Sequence, residues 1–127
     1  MKARNGDIQN SSTEYAGLVN MDLADDVPLL NHRSKYNNER DIQIFQLLKP
    51  GEKSDAESIQ EINPYKSRAD IFRDKFDKLV ADEPCKAITA HMYYDCNMYI
   101  HPTQARGLSP REAARVQGFP DDYLFLG

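Results

Sequence analysis

The sequence predicts an α+β fold, with several short helices around a small sheet or hairpin. Three observations predict it. Residues 42–48 carry apolar side chains at helical spacing and run into Pro50-Gly51. Residues 109–118 combine a strong helix start with a hard stop. Between them, residues 86–91 and 97–101 are short β-prone runs separated by residues 92–96. A chain of 127 residues buries one modest core, so these elements belong to a small mixed arrangement.

Taken in order, residues 1–27 are polar and sustain neither a helical nor a strand period, which reads as an arm or loop with at most a short strand near residues 15–19. Asn10-Ser11-Ser12 fits the glycosylation pattern, but no secretory signal accompanies it and the match is accidental. Asn37 or Asn38 is placed to cap a helix, and Glu39 and Asp41 favour its positive end. Ile42, Ile44, Phe45, Leu47 and Leu48 give that helix its apolar face, and Pro50-Gly51 stops it. Residues 52–66 read as a linker with one short helix around residues 56–62. Ser67 then caps a helix expected to run through Leu79, where Phe72, Phe76 and Leu79 form a core stripe. Ser109 stands at an N-cap, Pro110 at the first helical position and Glu112 three residues after the cap, the pattern of a capping box. Gly118 and Pro120 end that helix.

The net charge of −4 argues weakly against nucleic acid as a partner, but its distribution softens the point. Residues 64–115 hold nine basic and seven acidic side chains, a local +2 able to present a basic face to phosphates. Cys85 and Cys96 are too few for a disulfide scaffold. With His91 and His101 they contain zinc-ligand chemistry, but not the closely spaced cysteine pair of a structural site, so no metal site is assigned. No stretch approaches the length of a membrane span and no signal peptide is evident, which makes the cytoplasm the expected location.

The stretch from Arg106 to Asp121 resembles the ninth motif of DNA (cytosine-5) methyltransferases. Arg106, Leu108, Ser109, Arg111, Glu112, Ala113, Ala114, Arg115, Gln117, Gly118, Phe119, Pro120 and Asp121 match its pattern. Pro84, Ile88, Thr89, Ala90, His91 and the run Tyr99-Ile100-His101-Pro102 are similar to the same C-terminal part of the family. A looser likeness to some bacterial members covers residues 31–41, where His32, Arg33 and Lys35 read either as a solvated turn or as phosphate contacts.

The resemblance implies the small target-recognition domain, residues 29–127, after a polar arm of residues 1–28. It implies double-stranded DNA as partner, with Thr89 meeting a target-strand phosphate, and His91 and Arg106 as further contacts. Lys86 joins them on charge alone. Ser109, Arg111, Glu112 and Arg115 belong to the structural helix. Arg111 and Arg115 lie four apart on one face, able to reach DNA or to tie down neighbouring loops. The arginine fork and the carboxylates of Asp121 and Asp122 beyond the helix stop favour tying down.

The family's methyl donor is S-adenosylmethionine, and its nucleophile is a Pro-Cys-Gln cysteine. Pro84-Cys85 is followed by Lys86 and fits the recognition segment instead. No catalytic residue and no cofactor site is therefore assigned to this chain. The expectation is a fragment of the enzyme that works with a missing catalytic domain, in the same chain or as a separate subunit. The alternative is a non-catalytic interaction or DNA-binding module that kept the fold. A freestanding regulator is less consistent with the sequence, which has neither paired helix-turn-helix spacing nor a basic stripe.

Overall fold

A computed structural model of the chain describes residues 18–21, 28–68, 70–71, 75–89 and 97–126. The chain divides into two compact units, Ser34–Leu108 and a second made of Met1–Arg33 with Ser109–Gly127. The elements are α+β in kind: two α-helices that lie wholly among the described residues and a two-stranded parallel sheet. No helix among the described residues is long and apolar enough to cross a membrane.

In the first unit, α1 is Glu39–Leu47. Asn38 Oδ1 accepts from the Asp41 amide at 2.8 Å and so satisfies one of the free N–H groups of the first turn. Leu48 leaves the helix in an extended conformation, and the ring of Pro50 keeps its predecessor Lys49 out of the helical region. The buried positions are Asp41, Ile44, Phe45 and Leu48, the spacing of one helical face. Leu47, expected on that face, is 47% exposed. The face is turned by one position because Asp41 has a partner there: Asn97 Nδ2 donates to its carboxylate at 3.2 Å, and Asn37 Nδ2 donates to Asn97 Oδ1 at 3.2 Å. Ile44, Phe45 and Leu48 pack with Ile59, Phe76 and Ile100 into one core cluster.

Two sequence expectations are corrected here. The helix from Ser67 through Leu79 does not form. Lys66–Arg68 is a single 3-10 turn, Phe76 has φ +55, and β1 is Asp77–Lys78. Residues 69 and 72–74 lie outside the described residues, Phe72 among them. The reason lies in the tertiary partners. The amide of Phe76 donates to Asn97 O at 2.8 Å and that of Asp77 to Met98 O at 2.9 Å. The Phe76 ring is buried with the rings of Phe45 and Tyr65 at 6.2 and 5.7 Å. Left-handed backbone is costly for a bulky residue, and this packing offsets it. Phe76 thus stays in the core although no described residue between 70 and 79 is helical.

The second correction concerns strand pairing. β2, Tyr99–Ile100, pairs in parallel with β1, Asp77 opposite Tyr99 and Lys78 opposite Ile100. Its other edge meets Gly107 in an antiparallel bridge with Ile100. Residues 84–89 form no strand, so the expected hairpin of residues 86–91 with 97–101 is replaced; residues 90–96 lie outside the described ones. Lys78 is buried, and its ammonium donates to Phe45 O at 2.7 Å and Leu48 O at 2.8 Å. It caps the carbonyl end of α1, where a cation is favoured. Burial pushes its pKa down, opposed by the nearby Glu52 carboxylate.

The short helix expected around residues 56–62 is a 3-10 turn at Glu57–Ile59 that buries Ile59. In the second unit, the strand expected near residues 15–19 falls mostly outside the described residues, and Leu18 and Val19 are helical. That unit is built on α2, Pro110–Val116.

Candidate nucleic-acid interface

Two stretches of the first unit that carry candidate DNA contacts are fastened to β2. The Tyr99 hydroxyl, on a buried ring, donates to Ala87 O at 2.9 Å and holds residues 84–89. Lys86 and Thr89 on that segment are both exposed. On the far edge of β2, His101 N donates to Arg106 O at 2.9 Å, and Leu108 N to Tyr99 O at 3.2 Å. These bonds fix the loop that carries Arg106. His91 lies outside the described residues.

The electrostatics around Lys86 are set by Asp77, a buried carboxylate on β1. Lys86 Nζ is 3.2 Å from Asp77 Oδ2, and Lys53 Nζ is 4.0 Å from the same oxygen. Cys85 is half-buried, and burial together with Asp77 pushes its thiol pKa up, with Lys86 opposing. A thiol held protonated is a poor nucleophile.

Arg106 is braced by its own loop. Its Nε donates to Gln104 Oε1 at 2.6 Å and its Nη1 to Gly107 O at 3.0 Å. His101 organises the same loop, its Nδ1 accepting from the amides of Thr103 at 3.2 Å and Gln104 at 3.1 Å. That nitrogen therefore carries no proton, and the neutral ring holds its proton on Nε2.

The ninth-motif residues lie in the second unit. Ser109 Oγ accepts from Glu112 N at 3.2 Å, and Glu112 Oε2 accepts from Ser109 N at 2.8 Å, a complete capping box. His32 Nδ1 lies 2.9 Å from the same Ser109 hydroxyl, so this histidine supports the cap. Arg111 is 0% exposed. Its Nε donates to Leu30 O at 2.9 Å, Nη1 to Pro120 O at 3.0 Å and Nη2 to Tyr123 O at 2.6 Å. Its guanidinium carbon is 5.5 Å from the centre of the Phe125 ring. Burial lowers its pKa, and Asp121 opposes that shift. Arg115 forks onto Asp121, Nε to Oδ1 at 2.7 Å and Nη2 to Oδ2 at 2.9 Å. Asn20 closes the other side of that carboxylate. The helix ends with Gly118 at φ +83, where Gly118 N donates to Arg115 O and Phe119 N to Ala114 O. That is the paired-bond stop that favours glycine.

Sequence reasoning did not find Lys78, Asp77 or Tyr36. A lysine at i in an expected helix gives no sign that it will cap another helix. Tyr36 lines a groove of about 450 Å³ with Asn38, Glu39 and Arg40. Among the described residues no group of three His, Cys, Asp or Glu side chains could hold a metal ion; His91 and Cys96 lie outside them. Gly51 and Gly118 serve chain turns, at φ +88 and +83.

A family model of C-5 cytosine-specific DNA methylases matches residues 5–127, and the chain belongs to that family. It is 44% identical over 64 residues to the putative type II methyltransferase M.OihORF3336P of Oceanobacillus iheyensis, covering 50% of this chain and 14% of that protein. It is 34% identical over 91 residues to the type II methyltransferase M.AgeI of Thalassovita gelatinovora, covering 72% and 20%. It is 33% identical over 109 residues to the type II methyltransferase M.Bpa9945I of Bacillus paralicheniformis, covering 81% and 24%. The matched part thus spans a quarter or less of these relatives. No solved structure matches the chain.

Proposed function

We propose that the chain is the target-recognition part of a DNA (cytosine-5) methyltransferase, of the type II kind found in restriction-modification. It holds duplex DNA opposite a catalytic part that bears the nucleophile and the S-adenosylmethionine site. The observation that carries this reading is the ninth-motif helix, Ser109 to Gly118, in a chain of this family. C5 and C6 of a stacked cytosine are out of reach, so such an enzyme must flip its base and hold the distorted duplex while doing so. Holding is the work assigned to Thr89, Lys86, Arg106 and His91, with the Thr89 hydroxyl and the Lys86 ammonium on phosphates. The fastening of residues 84–89 and of the Arg106 loop to one strand supports that assignment. The raised pKa of Cys85 supports a reading in which Cys85 is not the nucleophile.

The test is to incubate the purified chain with duplex DNA and labelled S-adenosylmethionine. No label should pass to DNA, while the chain should retard the duplex at low salt. Label transfer above a no-protein control, or no retardation, contradicts the proposal.

A further inference from the structure

The loop from His101 to Gly107 closes a ring of hydrogen bonds on itself. His101 Nδ1 accepts from the Gln104 amide at 3.1 Å, Gln104 Oε1 accepts from Arg106 Nε at 2.6 Å, and Arg106 O accepts from the His101 amide at 2.9 Å. Arginine only donates, so the acceptor end of the Gln104 carboxamide faces it. The ring has two anchors in the fold: Ala105 packs against the core cluster, and Gly107 bridges to Ile100. Thr103 and Gln104 are exposed, and hydrogen bonds made in water at such positions add little stability. What they fix is the guanidinium, whose plane is set by Nε on Gln104 and Nη1 on Gly107 O.

A long side chain without such bonds samples many rotamers, and a ligand that binds it must order it; an arginine already ordered spares that cost. A loop that only reverses the chain has no use for a side chain spent on Arg106 Nε. We infer that His101 and Gln104 are positioning residues for Arg106: His101 sets the loop, Gln104 sets the guanidinium plane, and both act on DNA through Arg106 alone. The inference rests on the reading of Arg106 as a DNA contact and names the residues that prepare it.

The test is a double-mutant cycle on affinity for duplex DNA at low salt, read well below each variant's denaturation midpoint. Gln104→Met keeps the length of the side chain and removes its acceptor. It should weaken binding about three- to tenfold, the cost of ordering one long side chain. His101→Leu should weaken binding by a similar factor. His101→Asn should restore it, because its Oδ1 stands as many bonds from the backbone as Nδ1 and accepts from nearby amides in the same way. In an Arg106→Ala background neither Gln104→Met nor His101→Leu should weaken binding further. Nitrogen NMR should find His101 unprotonated at Nδ1 in the wild type, its signals identified by their loss in His101→Asn. Unchanged binding by Gln104→Met, no rescue by His101→Asn, or a proton on Nδ1 overturns the inference and leaves DNA holding standing. So does an equal loss with and without Arg106, which would mean that Gln104 or His101 touches DNA itself. No binding by the wild type overturns both.

Discussion

Arg111→Met is the substitution that probes the second unit most sharply. Methionine keeps much of the apolar stem and removes every donor. The main-chain carbonyls of Leu30 and Tyr123 then lose their partner, while Pro120 O loses one bond and keeps the Tyr123 amide at 3.1 Å. A buried carbonyl left without a partner costs about 1–3 kcal/mol. Tyr123 lies in chain near the surface that water can reach once the guanidinium is gone, so the low end applies, about 2 kcal/mol for the two. Loss of the contact with Phe125 adds about 0.5–1 kcal/mol. The expected total is about 2.5–3 kcal/mol, a large part of the stability of a small domain. Arg111→Lys keeps the charge, but a compact ammonium cannot span three carbonyls, and about half the loss should remain. Urea denaturation followed by circular dichroism measures both variants. A loss below about 1 kcal/mol for Arg111→Met would mean that these carbonyls are already hydrated and that the arginine ties nothing down.

Three further outcomes follow from the same structure. Lys78→Met should cost about 2–4 kcal/mol, because it strips the cap from Phe45 O and Leu48 O inside the first unit, and urea denaturation reads it. Arg115→Ala should lower the denaturation midpoint with little change in DNA retardation, and Arg106→Ala the reverse; exchanged effects would mean that the two arginines have been assigned backwards. Cys85 has a folded pKa above its unfolded value, so its contribution to stability is full below the unfolded value near 9 and fades as pH rises through the folded one. In a Cys96→Ser background its reaction with a disulfide reagent at pH 8 should be slower in the native protein than in urea, and equal rates would contradict the burial.

What the sequence made legible was local. Asn38 ahead of two acids, and Ser109-Pro110 with Glu112, announce helix starts because a cap is a contact over three residues. Gly118 announces a stop for the same reason. The fork of Arg115 onto Asp121 is nearly as local, six residues apart across a tight turn. The rest was set by distant partners. Phe76 stands at helical spacing, yet its amide finds Asn97 O, and its ring finds Phe45 and Tyr65, so strand wins over helix. Lys78, inside the span expected to be helical, is a buried cap thirty-three residues from Phe45. Two-residue strands carry almost no periodic signal, which is why the β2 partner was read as residues 86–91 instead of Asp77–Lys78. Of the candidate contacts, Lys86 was visible as a charge but its pairing with Asp77 was not, since that carboxylate lies nine residues away on a strand the pattern concealed.

The central claim, that this chain holds DNA through a few phosphate contacts, is tested most directly by its affinity for duplex DNA across a salt series. The account predicts binding at low salt that weakens with a log–log slope of about −2 to −4, and a slope shallower by about 1 for Lys86→Ala. Binding that does not change with salt, or none at low salt, would contradict it.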